Sequence, residues 1–148
     1  MSLDPSFVGR TYPPTAPYQV GREKIREFAT AIGAEEPAYH DPDAARALGH
    51  PDVVAPPTFP MTITMSASRQ IIDDPELGID YSRVVHGDQR FRYTRPVVAG
   101  DELVCVNTVE DVITRGGHGF VTIRTEVSTT TGEPVVTAWC KFVVRGEG

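Results

Sequence analysis

The feature that most narrows the fold is a change of period at Arg83. Beyond it the chain runs in four long stretches, Arg83 to Thr94, Glu102 to Thr114, Phe120 to Thr129 and Val135 to Val144, in which apolar and polar residues alternate. Successive side chains of a strand point to opposite faces, so a period of two predicts strands with one buried and one wet face. The separators Ala99-Gly100-Asp101, Gly116-Gly117-His118-Gly119 and Thr131-Gly132-Glu133-Pro134 are short and contain Gly, which permits tight turns. Connections this short join antiparallel neighbours, because a parallel crossover needs a dozen or more residues. An antiparallel sheet of hairpin-linked strands is the expectation.

The part before Arg83 reads differently. Tyr12 to Tyr18 is rich in Pro and extended, and a short strand around Tyr18-Gln19-Val20 leads into a helix from Arg22 to about Ile32. Ile25, Phe28, Ala29 and Ile32 fall on one helical face, and Gly33 ends the helix. Asp41 as N-cap and Pro42 at the first helical position start a short helix to Leu48, closed by Gly49. From Thr58 to Ile72 the chain carries no charge except Arg69 and spreads Phe59, Met61, Ile63, Met65, Ala67, Ile71 and Ile72 around every face. An uncharged helix that is apolar nearly all round is a buried helix. Thr62-Ile63-Thr64-Met65 also alternates like a strand, but the length of the segment and its Pro56-Pro57 start favour a helix. No repeat or low-complexity segment intervenes. The fold class is therefore α+β, one domain over residues 1–148.

Composition excludes several functions. A chain of 148 residues with 40% hydrophobic and 23% charged residues suits one ordinary globular core. A net charge of -6 argues against nucleic acid, which is bound by basic faces. No apolar run approaches the roughly 20 residues of a membrane helix. Met1-Ser2-Leu3-Asp4-Pro5 lacks the basic start and apolar stretch of a signal peptide, so a cytoplasmic location is expected. In that reducing compartment Cys105 and Cys140 are expected as buried free thiols. His50, His86 and His118 show no ligand spacing with each other or with a cysteine, so neither a metal nor a cofactor is predicted. His118, between glycines, is expected at a hairpin tip.

The loop Gly33-Ala34-Glu35-Glu36-Pro37-Ala38-Tyr39-His40-Asp41-Pro42-Asp43-Ala44-Ala45 resembles the active-site loop of the MaoC-like (R)-specific enoyl-thioester hydratases and (3R)-hydroxyacyl-thioester dehydratases. That loop reads approximately G-D-x-N-P-[LIV]-H-x-D-P-x-x-A. Pro37, Asp41, Pro42 and Ala45 match without a gap, which puts Ala34 at the family's Asp and Tyr39 at its His. The resemblance implies the hot-dog fold, a sheet wrapped around one central helix, and the order of elements agrees with it. It also implies three chemical requirements: an Asp and a His that share a water, and a backbone N–H at the start of the central helix that polarises the thioester carbonyl. Ala34 carries no proton, and the Tyr39 phenol, with an ordinary pKa of about 10, is a poor base at neutral pH. Where the family reads approximately A-H-G this chain reads Ala55-Pro56-Pro57, and Pro has no N–H. Slipping the register by one residue would instead use Glu35 and His40, which have the family's spacing. The slip loses Pro37 and Asp41-Pro42 and still leaves Pro57 without a donor. The unslipped register is preferred, with Glu35, Glu36 and His40 in a solvated loop.

The central helix contains no acid, whereas thioesterases and the other bacterial dehydratase class of this fold resemble each other in carrying one there. Pro57, Thr58, Phe59 and Met61 are expected to line an acyl site, with plain core packing as the alternative. The segment Arg83 to Asp101 is similar to the family's strand and its R-P-x-x-x-G-D turn. Arg90 and Arg92 share one face of that strand and are candidates for the phosphates of coenzyme A or of a phosphopantetheine arm, or for an acidic carrier protein; the alternative is a solvated outer face. The whole chain resembles the small non-catalytic subunit of heterodimeric (3R)-hydroxyacyl-acyl-carrier-protein dehydratases of type II fatty-acid synthesis and mycolic-acid elongation. The resemblance implies a MaoC-like catalytic partner that supplies the Asp and His, and an acyl-carrier-protein or acyl-CoA thioester as substrate. A homodimeric hydratase using Glu35, His40 or Tyr39, and a homodimeric acyl-thioester binder without chemistry, remain as alternatives.

Overall fold

The computed structural model describes residues 3–146. Five strands, β1 (Tyr18–Gln19), β2 (Val84–Tyr93), β3 (Glu102–Arg115), β4 (His118–Thr129) and β5 (Pro134–Val144), form one antiparallel sheet in the order β1-β3-β4-β5-β2. The turn at Ala99-Gly100-Asp101 is therefore not the expected hairpin, because β2 pairs with β5 and the chain crosses from one side of the sheet to β3 on the other. Alternation sets its two faces. Leu103, Cys105, Asn107 and Val109 of β3, Val121, Ile123, Thr125 and Val127 of β4, and Val136, Ala138, Cys140 and Phe142 of β5 are all buried on the concave side. The intervening Arg124, Glu126, Trp139 and Lys141 lie on the convex side. In β2 the register shifts between His86 and Asp88. The extra residue of such a bulge re-phases the strand, so His86, opposite Phe142, and Gln89, opposite Cys140, share the concave face although they are three apart.

The helices are α1 (Arg22–Ala31), α2 (Pro42–Ala47), α3 (Met61–Ala67) and α4 (Arg69–Ile72). Ile25 and Ala29 of α1 are fully buried, and Phe28 meets Phe59 edge to face with ring centroids 5.5 Å apart. The Asp41 carboxylate accepts the Asp43 N–H at 3.0 Å, which is the expected N-cap of α2. The helices end one residue before the expected Ile32 and Leu48, and the strands begin or end within two residues of expectation. Three single-turn 3₁₀ helices, Pro5–Phe7, Pro37–Tyr39 and Tyr81–Arg83, are too short to leave a periodicity in the sequence.

The central segment differs most from its expected form, because the helix read from Thr58 to Ile72 begins only at Met61, after a turn over residues 57–60, and is two short helices broken at Ser68. The cause is a buried side chain on β3. Asn107 Nδ2 donates to the Ala67 carbonyl at 2.8 Å and to Gln70 Oε1 at 2.9 Å, and Thr125 Oγ1 donates to Asn107 Oδ1 at 2.7 Å. An amide from the sheet thus occupies the carbonyl that the Ile71 N–H would have taken, and that N–H turns to the Ser68 carbonyl at 3.0 Å instead. Nor is the segment buried all round: Ile63, Thr64 and Ala67 face the core, while Met61, Thr62 and Met65 are half-buried and Ser66 is exposed. Cys105 and Cys140 are buried free thiols, and burial pushes them up to about 11 and about 12, so neither forms thiolate near neutral pH. Among the described residues no helix is long and apolar enough to cross a membrane, and no three metal-binding side chains cluster.

Candidate active-site cleft

Four pieces of chain, three from residues 36–57 and one from residues 93–96, enclose a cleft of ≈ 360 Å³. The 3₁₀ turn at Pro37–Tyr39 supplies Ala38 and Tyr39, with Glu36 before it at the rim. The chain leaving α2 supplies Leu48 and His50, the approach to α3 supplies Val54, Ala55 and Pro57, and the end of β2 supplies Tyr93 and Pro96. Pro37 sets the turn: its carbonyl accepts from the N–H groups of His40 at 3.0 Å and Asp41 at 2.8 Å. Backbone bonds then fix the opposite wall, Val54 N–H to the Ala38 carbonyl at 3.1 Å and Ala55 N–H to the Val97 carbonyl at 2.8 Å. Arg22 grips Asp52 through two bonds of 2.9 Å, which hold that carboxyl at about 2, well below its ordinary range, and tie the start of α1 to this wall.

The polar groups of the cleft are few. Tyr93 donates its hydroxyl to the Pro57 carbonyl at 2.5 Å. Burial, and then the neighbouring Tyr39, push the Tyr93 phenol far up; burial, and then Glu36, push up the Tyr39 phenol. Both stay protonated at neutral pH, and neither is a base. No hydrogen bond joins Glu36 to His50 among the described residues.

The comparisons with known proteins give this geometry a lineage. Residues 6–138 match the FAS1-like, dehydratase domain region family. The chain belongs to that family. It is also 61% identical over 145 residues to a UPF0336 protein of Streptomyces coelicolor, a match covering 98% of this chain and 97% of the relative. Among solved structures it is similar to a chain of the C-terminally truncated HadBC (3R-hydroxyacyl-ACP dehydratase) complex of Mycobacterium tuberculosis, at 32% identity and a TM-score of 0.83 over 93% of this chain and 96% of that one. A MaoC-like dehydratase gives 33% identity and a TM-score of 0.87, covering 95% of this chain and 43% of that one. The fold is the MaoC-like hot-dog fold, as the order of elements predicts.

Within this MaoC-like chain the loop and the approach to the central helix meet at one cleft, and Tyr39 and Pro57 line it together. Ala34 does not line it; its carbonyl accepts from His40 Nε2 at 2.9 Å. A carbonyl only accepts, so His40 carries its proton on Nε2, and the ring is turned back onto its own loop. Arg26 holds the same loop by donating to the His40 carbonyl at 2.8 Å, while Glu35 is exposed and outside the cleft. Thr58 is exposed, Phe59 is fully buried against Phe28, and Met61 lies half-buried on α3; none of the three lines the cleft. Arg90 and Arg92 lie on the convex face, with their guanidinium carbons 4.2 and 5.7 Å from the Trp139 ring centroid. Tyr93, Leu48, His50, Val54, Glu36 and Pro96 were not singled out from the sequence. Tyr93 had a signal, being next to Arg92 in a period-two strand and so on the opposite face. For Leu48 and His50 there was none.

Proposed function

We propose that this chain is the non-catalytic, acyl-chain-binding subunit of a (3R)-hydroxyacyl-thioester dehydratase, or (R)-specific enoyl-thioester hydratase, of fatty-acid metabolism in the cytoplasm. The supporting observation is the loop and the cleft beside it. At the family's two proton-transfer positions, in the register set by Pro37 and Asp41-Pro42, stand Ala34, which lies outside the cleft, and the protonated Tyr39 phenol on its wall; the approach to α3 carries Pro56 and Pro57, which have no N–H. The chemistry then falls to a MaoC-like partner with an intact G-D-x-N-P-x-H loop. A partner has somewhere to join. β2 is a ten-residue edge strand paired on one side, and unpaired edges invite another sheet. On that strand the buried Nε2 of Gln89 has no hydrogen-bond partner among the described residues, and such an orphan costs about 1–3 kcal/mol unless something outside the chain accepts from it. The HadBC neighbour is itself a complex, which agrees with this arrangement. Arg90 and Arg92, exposed beside the Trp139 indole, would meet the phosphate of a carrier-bound or CoA-bound thioester.

The test is turnover of crotonyl-CoA. The isolated chain is expected to be inactive, and mixing it with a MaoC-like subunit that carries the intact loop is expected to restore hydration. Turnover by the isolated chain, abolished by His40→Ala or by His50→Ala, would overturn the proposal in favour of a homodimeric hydratase.

A further inference from the structure

We propose that the convex face of the sheet docks a second copy of this chain, the two copies meeting about a two-fold axis that runs between β4 and β5. This goes beyond the subunit reading, whose partner joins at the β2 edge. The register of the sheet lays the convex side chains out in rows. One row is apolar across four strands, with Val85 opposite Val143, Val143 opposite Phe120, and Phe120 opposite Ile113. Its two ends, Val85 and Ile113, are 42% and 41% exposed. Two rows further on, Arg90, Trp139 and Arg124 stand side by side, and the Trp139 Nε1–H donates to Glu110 at 3.2 Å. Between these rows lie two dents of ≈ 200 and ≈ 160 Å³ that share Thr122 and Lys141, so the apolar row and the indole belong to one continuous surface. An open apolar row beside a Trp flanked by arginines has the composition of an interface centre.

Charge and symmetry select the occupant. A net charge of -6 keeps copies of the chain apart over most of their surface. On the convex face the signs nearly cancel: Arg90, Arg92, Arg115 and Lys141 form no ion pair among the described residues and offset Asp88 and Asp111, while Arg124 is paired with Glu110 and Glu126. A face of one sign calls for a partner of the other, whereas a balanced face suits a copy of itself. A two-fold between β4 and β5 exchanges β5 with β4 and β2 with β3. Val85 then meets Ile113 of the second copy, Val143 meets Phe120, Arg90 meets Glu110, and the Trp139 ring meets the Arg124 guanidinium. One pairing is unfavourable, Asp88 against Asp111, and Lys141 lies beside both. Arg90 serves either this contact or a phosphate, not both at once.

Sedimentation equilibrium of the purified chain tests this. Four strands about 4.8 Å apart over about ten residues cover roughly 15 by 34 Å, on the order of 500 Å². That is below the ~800 Å² per partner of a standard interface, so reversible pairing in the micromolar range is expected. Val85→Asp and Ile113→Lys, at exposed positions that do not threaten folding, should each weaken it about tenfold. An equimolar mixture of the two variants should recover to within about threefold of the native chain, because one Asp–Lys and one Val–Ile contact then form across the axis. Asp111→Asn should tighten pairing about threefold by removing a like-charge contact. Gln89→Leu, at the β2 edge, should leave it unchanged. A mixture no better than either variant alone, loss of pairing in Gln89→Leu, or a chain monomeric throughout the micromolar range would overturn the inference and leave the subunit reading intact. Turnover of crotonyl-CoA by the isolated chain would overturn the subunit reading and leave this contact intact.

Discussion

Asn107 and Tyr39 are both polar side chains set among apolar neighbours, and the fold treats them in opposite ways. Asn107, fully buried, has its amide engaged on both sides, by Ala67 and Gln70 as acceptors and by Thr125 as donor. Tyr39, on the cleft wall, keeps its hydroxyl unengaged among the described residues. A saturated buried network rigidifies what it joins, here the two halves of the central helix to the sheet. An unsaturated donor beside a cavity does nothing for the isolated fold. Gln89 stands between the two, with Oε1 bonded to His86 Nε2 at 3.0 Å and Nε2 buried without a partner.

The contrast breaks most visibly at Asn107. Asn107→Ala strands the Thr125 hydroxyl and the Ala67 carbonyl inside the core and is expected to cost about 3 kcal/mol in urea unfolding with an unchanged slope. A loss below about 1 kcal/mol would mean that the network is not what holds the broken helix. Gln89→Leu is expected to leave the isolated chain as stable or up to about 1 kcal/mol more stable, since an orphan amide is removed. The same change should weaken association with a hot-dog partner about tenfold by sedimentation, or about 1.4 kcal/mol.

Within the cleft the two phenols should separate. Tyr93→Phe gives up the bond to Pro57 and is expected to cost about 1 kcal/mol of stability, while Tyr39→Phe should cost less than about 0.5 kcal/mol, because it breaks nothing in the free chain. Equal losses would erase the distinction between structural and ligand-facing hydroxyls. The smallest effect concerns Asp52, whose pairing with Arg22 lowers its carboxyl from 3.8 to about 2. A depressed folded value stabilises above the unfolded one and is lost as pH falls through the folded one. The stability gap between the native chain and Asp52→Asn, below about 1 kcal/mol for so exposed a pair, should be constant from pH 5 to 7. It should close below pH 4 and be gone near pH 2. A gap that persists at pH 2 would show that the side chain acts through packing and not through its charge.

Much of this molecule was legible in the residues alone, and for a physical reason. Strand faces, the α1 stripe, the Asp41-Pro42 cap and the glycine turns are local patterns, in which each residue's neighbours in sequence are its neighbours in space. The turn at Pro37 and the Asp41 cap in the loop of residues 33–45 were legible in the same way. What sequence could not hold was anything set by a side chain arriving from far away. The break at Ser68 is made by Asn107, some forty positions on; the bond of the His40 ring to the Ala34 carbonyl is made by the turn between them; and Tyr93 enters the cleft wall because the bonding of β2 to β5 brings the end of that strand to Pro57. The sequence by itself determined an antiparallel sheet of long strands with an apolar helical segment before it. The tertiary structure alone decided which polar groups are satisfied and which are left facing a cavity, because a hydrogen bond is a matter of a few ångströms between atoms that the chain brings together only by folding.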